Sequence, residues 1–150
     1  MVLNADTPRH FAGPLEMSRH PVGIEGTGRV FVGSFVRNVK VAAGGGVVPV
    51  EAGDAAESLA GVAVDGGFAD NPVVGGQDTI AVAGRGRLET WVTGAVTFGS
   101  VGAPVYCADD ETLTLAAGTE LPFGKIVQVL KTGTNAGNLV QVSFKADGIA

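Results

Sequence analysis

A chain of 150 residues is long enough for one domain, and at this size roughly 68–70% of the unfolded surface can be hidden without disulfide or metal staples. It is 45% hydrophobic, but the apolar residues are scattered among 24 glycines and never approach the ~20-residue run of a membrane helix. The net charge of −5 is uneven: residues 1–40 hold five basic groups against three acids (+2), and residues 41–150 hold five against twelve (−7), which argues against nucleic acid as the main partner.

In chain order, residues 1–27 show no period of 2 or 3.6 and carry Pro8, Pro14 and Pro21, then glycines at 23 and 26. Proline fixes φ and removes donors, so this stretch favours extended backbone. Asp6, Pro8, Arg9 and His10 stand where the apolar core of a leader peptide would lie, so the expectation is a soluble chain made in the cytoplasm. Phe11, Leu15, Met17, Val22 and Ile24 give the segment apolar anchors that a disordered tail seldom has. It reads as an arm (1–27) that orders on a partner, attached to a β domain (28–150).

Beyond Thr27, short Val-, Ile-, Phe- and Thr-rich runs alternate with Gly-rich breaks, the pattern of an all-β domain. Strands are predicted over 29–36, 39–42, 47–50, 60–65, 78–83, 87–93, 104–107, 112–115, 124–131 and 139–145. In the last, Val140, Val142 and Phe144 point one way and Gln141, Ser143 and Lys145 the other. Ile80 and Val82 likewise share a face. Only "AGDAAESLAG" has helical character, a turn or two with Asp54 as cap and Glu57 three residues on. Two stretches, one from "GSFVRNVKV" to "AGVAVDGG" and one from "GAVTFGS" through "APVYC" to "FGKIVQVLKTG", follow the same course, which suggests a duplicated β unit. The fold class is therefore all-β: a small Gly-rich β-barrel or sandwich with an extended N-terminal arm.

Candidate chemistry is sparse. Asp109, Asp110 and Glu111 form the densest acid cluster, but they are adjacent in one turn, whereas acid–base pairs face each other across a cleft and Ca²⁺ needs six to eight oxygens. They read as the solvated tip of a hairpin, with Asp bonding its own backbone. "GRGR" at residues 84–87 lacks the helix a phosphate cradle requires and reads as a bulge or turn. His10 and His20 fall short of a metal set. Cys107, the one cysteine, reads as a small buried hydrophobe, since a nucleophile needs a base within reach. Trp91, Tyr106 and seven Phe are too dispersed to stack bases, and Trp91, on one strand face with Glu89 and Thr93, suits a subunit contact. No catalytic, metal or cofactor site is expected.

The segments "VTGAVTFGSVGAPVYCADDETLTL" and "LPFGKIVQVLKTGTNAGNLVQVSF" resemble the capsid cement, or head decoration, proteins of tailed bacteriophages, with "LAGVAVDGG" and "DTIAVAGRGRLETWV" similar to the family's earlier strands. The likeness runs over roughly residues 29–145. Cys107 departs from it, standing where an aromatic commonly follows the Val-Tyr pair, and the N-terminal segment is longer and richer in Pro and His than in many relatives. The resemblance implies a non-enzymatic virion protein, assembled in the host cytoplasm, that sits as a homotrimer on the outer surface of the expanded head and clamps major capsid subunits. It implies no cofactor, no direct nucleic acid and no membrane. On that expectation Arg9, Phe11, Leu15, Met17 and Arg19 make the arm's capsid contacts and Trp91 lies in the trimer interface. The alternative is a tail- or fibre-associated β-domain that binds a ligand such as carbohydrate.

Overall fold

Alternating apolar residues need a covered face, and glycines allow strands to bend and approach closely; the computed structural model shows how this chain meets both demands. It describes residues 3–24, 28–40, 45–69, 78–134 and 138–147. Within these the chain is all-β. The strands are β1 (His10–Phe11), β2 (Glu16–Pro21), β3 (Arg29–Val30), β4 (Phe35–Asn38), β5 (Val47–Pro49), β6 (Ser58–Ala63), β7 (Gly67–Phe68), β8 (Thr79–Thr90), β9 (Val92–Thr93), β10 (Ala95–Val96), β11 (Pro104–Cys107), β12 (Leu113–Thr114), β13 (Leu121–Lys131), β14 (Gly133–Thr134) and β15 (Leu139–Lys145).

The main sheet has the order β5-β4-β6-β8-β15-β13-β11-β12-β9, with β1 and β2 also paired to β8; β3–β7 and β10–β14 are separate short ladders. The sheet is mixed, because β12 and β9 run parallel while its other pairs are antiparallel. It is not a closed barrel, yet its path curls back: β9 begins one residue after β8 ends. The buried side chain of Asn138 draws this corner together, donating to the carbonyls of Val92 and Gly94 and accepting the Val92 N–H at 2.9 Å. The larger core lies inside the curl and includes Phe35, Leu88, Leu113, Leu121, Ile126 and Val142; a smaller one holds Val22, Val36, Val47, Ile80 and Val82.

Strands 104–107 and 139–145 match the sequence pattern, and Val140, Val142 and Phe144 face the core. Other expectations need correction. The predicted strand over 29–36 is broken by a turn in which Gly33 has φ +89°, a left-handed conformation that favours glycine. Strands 78–83 and 87–93 are largely one: β8 runs straight through "GRGR", with a register shift against β2 that skips Gly84. The helical expectation at "AGDAAESLAG" fails. Residues 51–57 form turns, because the Asp54 carboxylate accepts the Glu51 N–H at 2.7 Å and pairs with buried Arg37 at 3.0 Å instead of capping. Glu57 joins the same guanidinium at 3.5 Å. Positions 41 and 42 of the strand predicted over 39–42 lie outside the described residues.

The suspected internal repeat has structural counterparts. In one unit β4 lies between β5 and β6; in the other β11 lies between β12 and β13. Val36 pairs with Gly61 and Val105 with Gly124, and each register shifts at the next residue. At both glycines a Cβ would collide with a backbone carbonyl, that of Ala83 at Gly61 and that of Ser143 at Gly124. Neither carbonyl can move without breaking its sheet. Gly61→Ala and Gly124→Ala are each expected to cost about 2–3 kcal/mol, read as a lower urea midpoint at unchanged slope.

Candidate interaction surface

The N-terminal segment is extended, as its prolines require, but its described residues lie along the chain's own body. On β8, Met17 is opposite Ala83, Arg19 opposite Ala81 and His10 opposite Glu89. This strap covers one edge of β8 while β6 and β15 take the other, so a central strand has partners on both sides. Residues 1, 2 and 25–27 of the predicted arm lie outside the described residues.

Three of the five predicted arm contacts are used within the molecule. Arg9 donates to the Gly33 carbonyl from Nε and to the Glu111 carbonyl from Nη2, both at 2.8 Å, and its guanidinium lies 4.6 Å from the centre of the Phe35 ring. Phe11 reaches the Phe144 ring at 6.5 Å, and Leu15 packs on the same core over Gly86, where a Cβ would strike its Cδ2. Phe35, Phe123 and Phe144 form a row with ring centres 4.9 and 5.1 Å apart, so Arg9 and Phe11 clasp its two ends. The other two arm positions face outward. Met17 is 58% exposed, and Arg19 lies along the surface, donating to the Thr79 carbonyl at 2.9 Å with Asp65 3.8 Å away.

The acidic turn is not the solvated tip that the sequence suggests. Asp109 behaves as expected, its Oδ1 accepting the N–H groups of Glu111 and Thr112 at 2.8 Å. Asp110 is buried: its carboxylate accepts the Leu3 N–H at 3.0 Å and the Ser34 hydroxyl at 3.2 Å, and its carbonyl accepts the Phe35 N–H. The strap has removed Asp110 from water, while Asp109 and Glu111 stay half-buried. No sequence signal distinguished Asp110 from its neighbours, because its partners Leu3 and Ser34 are 107 and 76 residues away. Burial raises the Asp110 carboxyl above its ordinary range, against the pull of the Leu3 and Ser34 bonds. The Arg9 guanidinium is likewise lowered by burial, with Glu111, Asp110 and Asp109 opposing.

Cys107 is fully buried, and burial followed by the Asp109 charge pushes its thiol well above the ordinary range, so little of the reactive thiolate forms. His10 approaches Glu89 at 3.7 Å and His20 bonds the Ser18 hydroxyl at 2.8 Å. Among the described residues no three His, Cys, Asp or Glu side chains are grouped to hold a metal ion.

What the surface does offer is apolar. Of the exposed large hydrophobics, four gather about β13. Trp91 is 48% exposed with the Lys131 ammonium 6.0 Å from its ring, and Leu130 precedes that lysine. Phe98, 70% exposed, sits in a 3-10 turn (Phe98–Ser100) packed alongside β13, and Val101 adjoins Gly102, whose N–H bonds the Ile126 carbonyl. Exposed apolar groups along one strand suit contact with another protein. Compared with known proteins, the chain matches no family model and no curated protein.

Arg9→Ala removes two hydrogen bonds and the ring contact, and is expected to cost about 2–3 kcal/mol, with faster amide exchange across residues 3–11 than across β13. The Asp110 shift fixes a sign for pH. The folded carboxyl binds its proton more tightly than the unfolded one, whose ordinary value is 3.8, so the cost of ionising it is absent at lower pH and complete above the folded pKa. Relative to Asp110→Asn, the wild type should therefore lose stability as pH rises through that window, checked by denaturant midpoints at several pH values.

Proposed function

We propose that the protein is a cement protein of a tailed-phage head, binding the outer surface of the expanded capsid as a trimer and bridging major capsid subunits. The observation that carries this reading is the set of exposed apolar side chains about β13 (Trp91, Phe98, Val101 and Leu130). They lie on a small all-β body most of whose large apolar side chains are turned inward. Burying aromatic and aliphatic groups against protein is the main favourable term in association. The strap adds a second contact at its outward positions, Met17 and Arg19, while Arg9, Phe11 and Leu15 hold it in place. Repetition on a lattice turns modest single contacts into firm attachment. Trp91 is assigned to the trimer interface. The reading is non-enzymatic and requires no cofactor, nucleic acid or membrane.

The test is co-sedimentation of the full chain with expanded, undecorated heads. Saturable binding is expected, weakened roughly tenfold by Met17→Glu with Arg19→Glu, with little change in the melting temperature. No binding overturns the cement reading. Retention on a glycan array, lost in Trp91→Ala, would instead establish a tail- or fibre-associated carbohydrate module.

A further inference from the structure

All five basic residues that follow position 40 stand on one side of the sheet. Lys145 is opposite Arg85, and Ser143 is opposite both Arg87 and Lys125; Lys131 follows further along β13, opposite Leu139. Val140, Val142 and Phe144 alternate with these positions on β15 and are buried, so Ser143 and Lys145 face outward and their cross-strand partners with them. Arg87 and Lys125, two strands apart, are separated by roughly 10 Å. Glu16, 3.3 Å from Arg85, and Glu89 stand among these cations, which outnumber them.

The acids of the body gather elsewhere. The turn at 51–57 meets the one at 119–120, the Ala55 N–H bonding the Thr119 carbonyl and the Gly53 N–H the Glu120 carboxylate at 3.3 Å. The Phe35 N–H bonds the Asp110 carbonyl and the Val50 N–H the Phe35 carbonyl, which puts the turn at 109–111 at the same end. Glu51, Asp54, Glu57, Asp109, Asp110, Glu111 and Glu120 there oppose only Arg9 and Arg37, a balance of −5.

We propose that the basic outer face of β8, β15 and β13 receives the acidic loop end of a second copy of this chain. The occupant follows from complementarity: a predominantly basic face and a −5 end are carried by the same molecule, and opposite potentials set register and partner choice. The carboxylates of Glu16 and Glu89 within the face suit a protein surface of mixed sign and would repel a phosphate backbone. Trp91 and Leu130, exposed beside Lys131, add apolar area at its margin. A face-to-end contact uses two different patches on each copy and stays finite only by closing into a ring. The inference rests on the trimeric reading above and supplies its interface.

Sedimentation equilibrium of the full chain at ~0.15 M salt, where the Debye length is about 8 Å, tests it without heads. The wild type should self-associate. Arg87→Glu with Lys125→Glu should weaken association roughly tenfold or more, as should Glu51→Lys with Glu120→Lys. All four changes in one chain should restore it, because the contact is then reversed in sign. The neutral pair Arg87→Gln with Lys125→Gln should weaken association too, which separates charge loss from any misfolding of the reversed chains. A monomeric wild type, or association indifferent to the face substitutions, overturns the proposal. So does a monomer that binds duplex DNA through Arg87 and Lys125. A monomer that still saturates heads would remove this contact alone, whereas self-association without head binding would remove the cement reading alone.

Discussion

The row of rings formed by Phe35, Phe123 and Phe144 is the contact on which the rest depends. It joins β4 to the distant β13 and β15 through one row of rings, the first pair tilted and the second stacked, within the larger core. Arg9 and Phe11 close on its ends from a segment that has no core of its own. Each ring brings a large buried area and a preferred offset or tilt, so the stack sets position as well as supplying apolar burial. With the row in place, β8 lies between the strap on one side and β6 and β15 on the other, and its backbone groups find partners along both edges.

The same arrangement explains how charge is distributed. A chain with 45% hydrophobic residues and few charges has little polar surface to spare, and here the two signs are separated. Cations alternate with core residues on the long strands, while most carboxylates, Glu16 and Glu89 apart, occupy turns and loops. Buried members of the acidic end each have partners: Asp110 is held by Leu3 and Ser34, and Arg37 by Asp54 and Glu57. Those groups hold loops to the body.

The period-2 strands were legible because their pattern is local. Residues 104–107 and 139–145 alternate cleanly, and a strand's burial follows from its own residues. What escaped depended on distance along the chain. The strap's pairing to β8, the burial of Asp110 and the Asn138 bonds to Val92 involve residues 46 to 107 positions apart, or edges no single segment reveals. The turns at 51–57 show the reverse case, a helix-like local pattern overridden when Arg37 drew Asp54 and Glu57 into an ion pair. The exposure of Trp91 was readable from its face; the company of Phe98 and Leu130 was not, since it requires the loop after β10 to lie beside β13.

The bond from Leu3 to Asp110 also orders events in time. Leu3 leaves the ribosome well before its partner, for the carboxylate that receives its N–H is made 107 residues later, and the β8 edge for Met17 about 65 residues after Met17 itself. During synthesis the strap therefore waits with its apolar anchors uncovered. Contacts of such separation form late and slowly, because loop closure must precede their reward. The prolines at 8, 14 and 21 suit that interval: they keep the waiting segment extended and deny it donors for premature pairing.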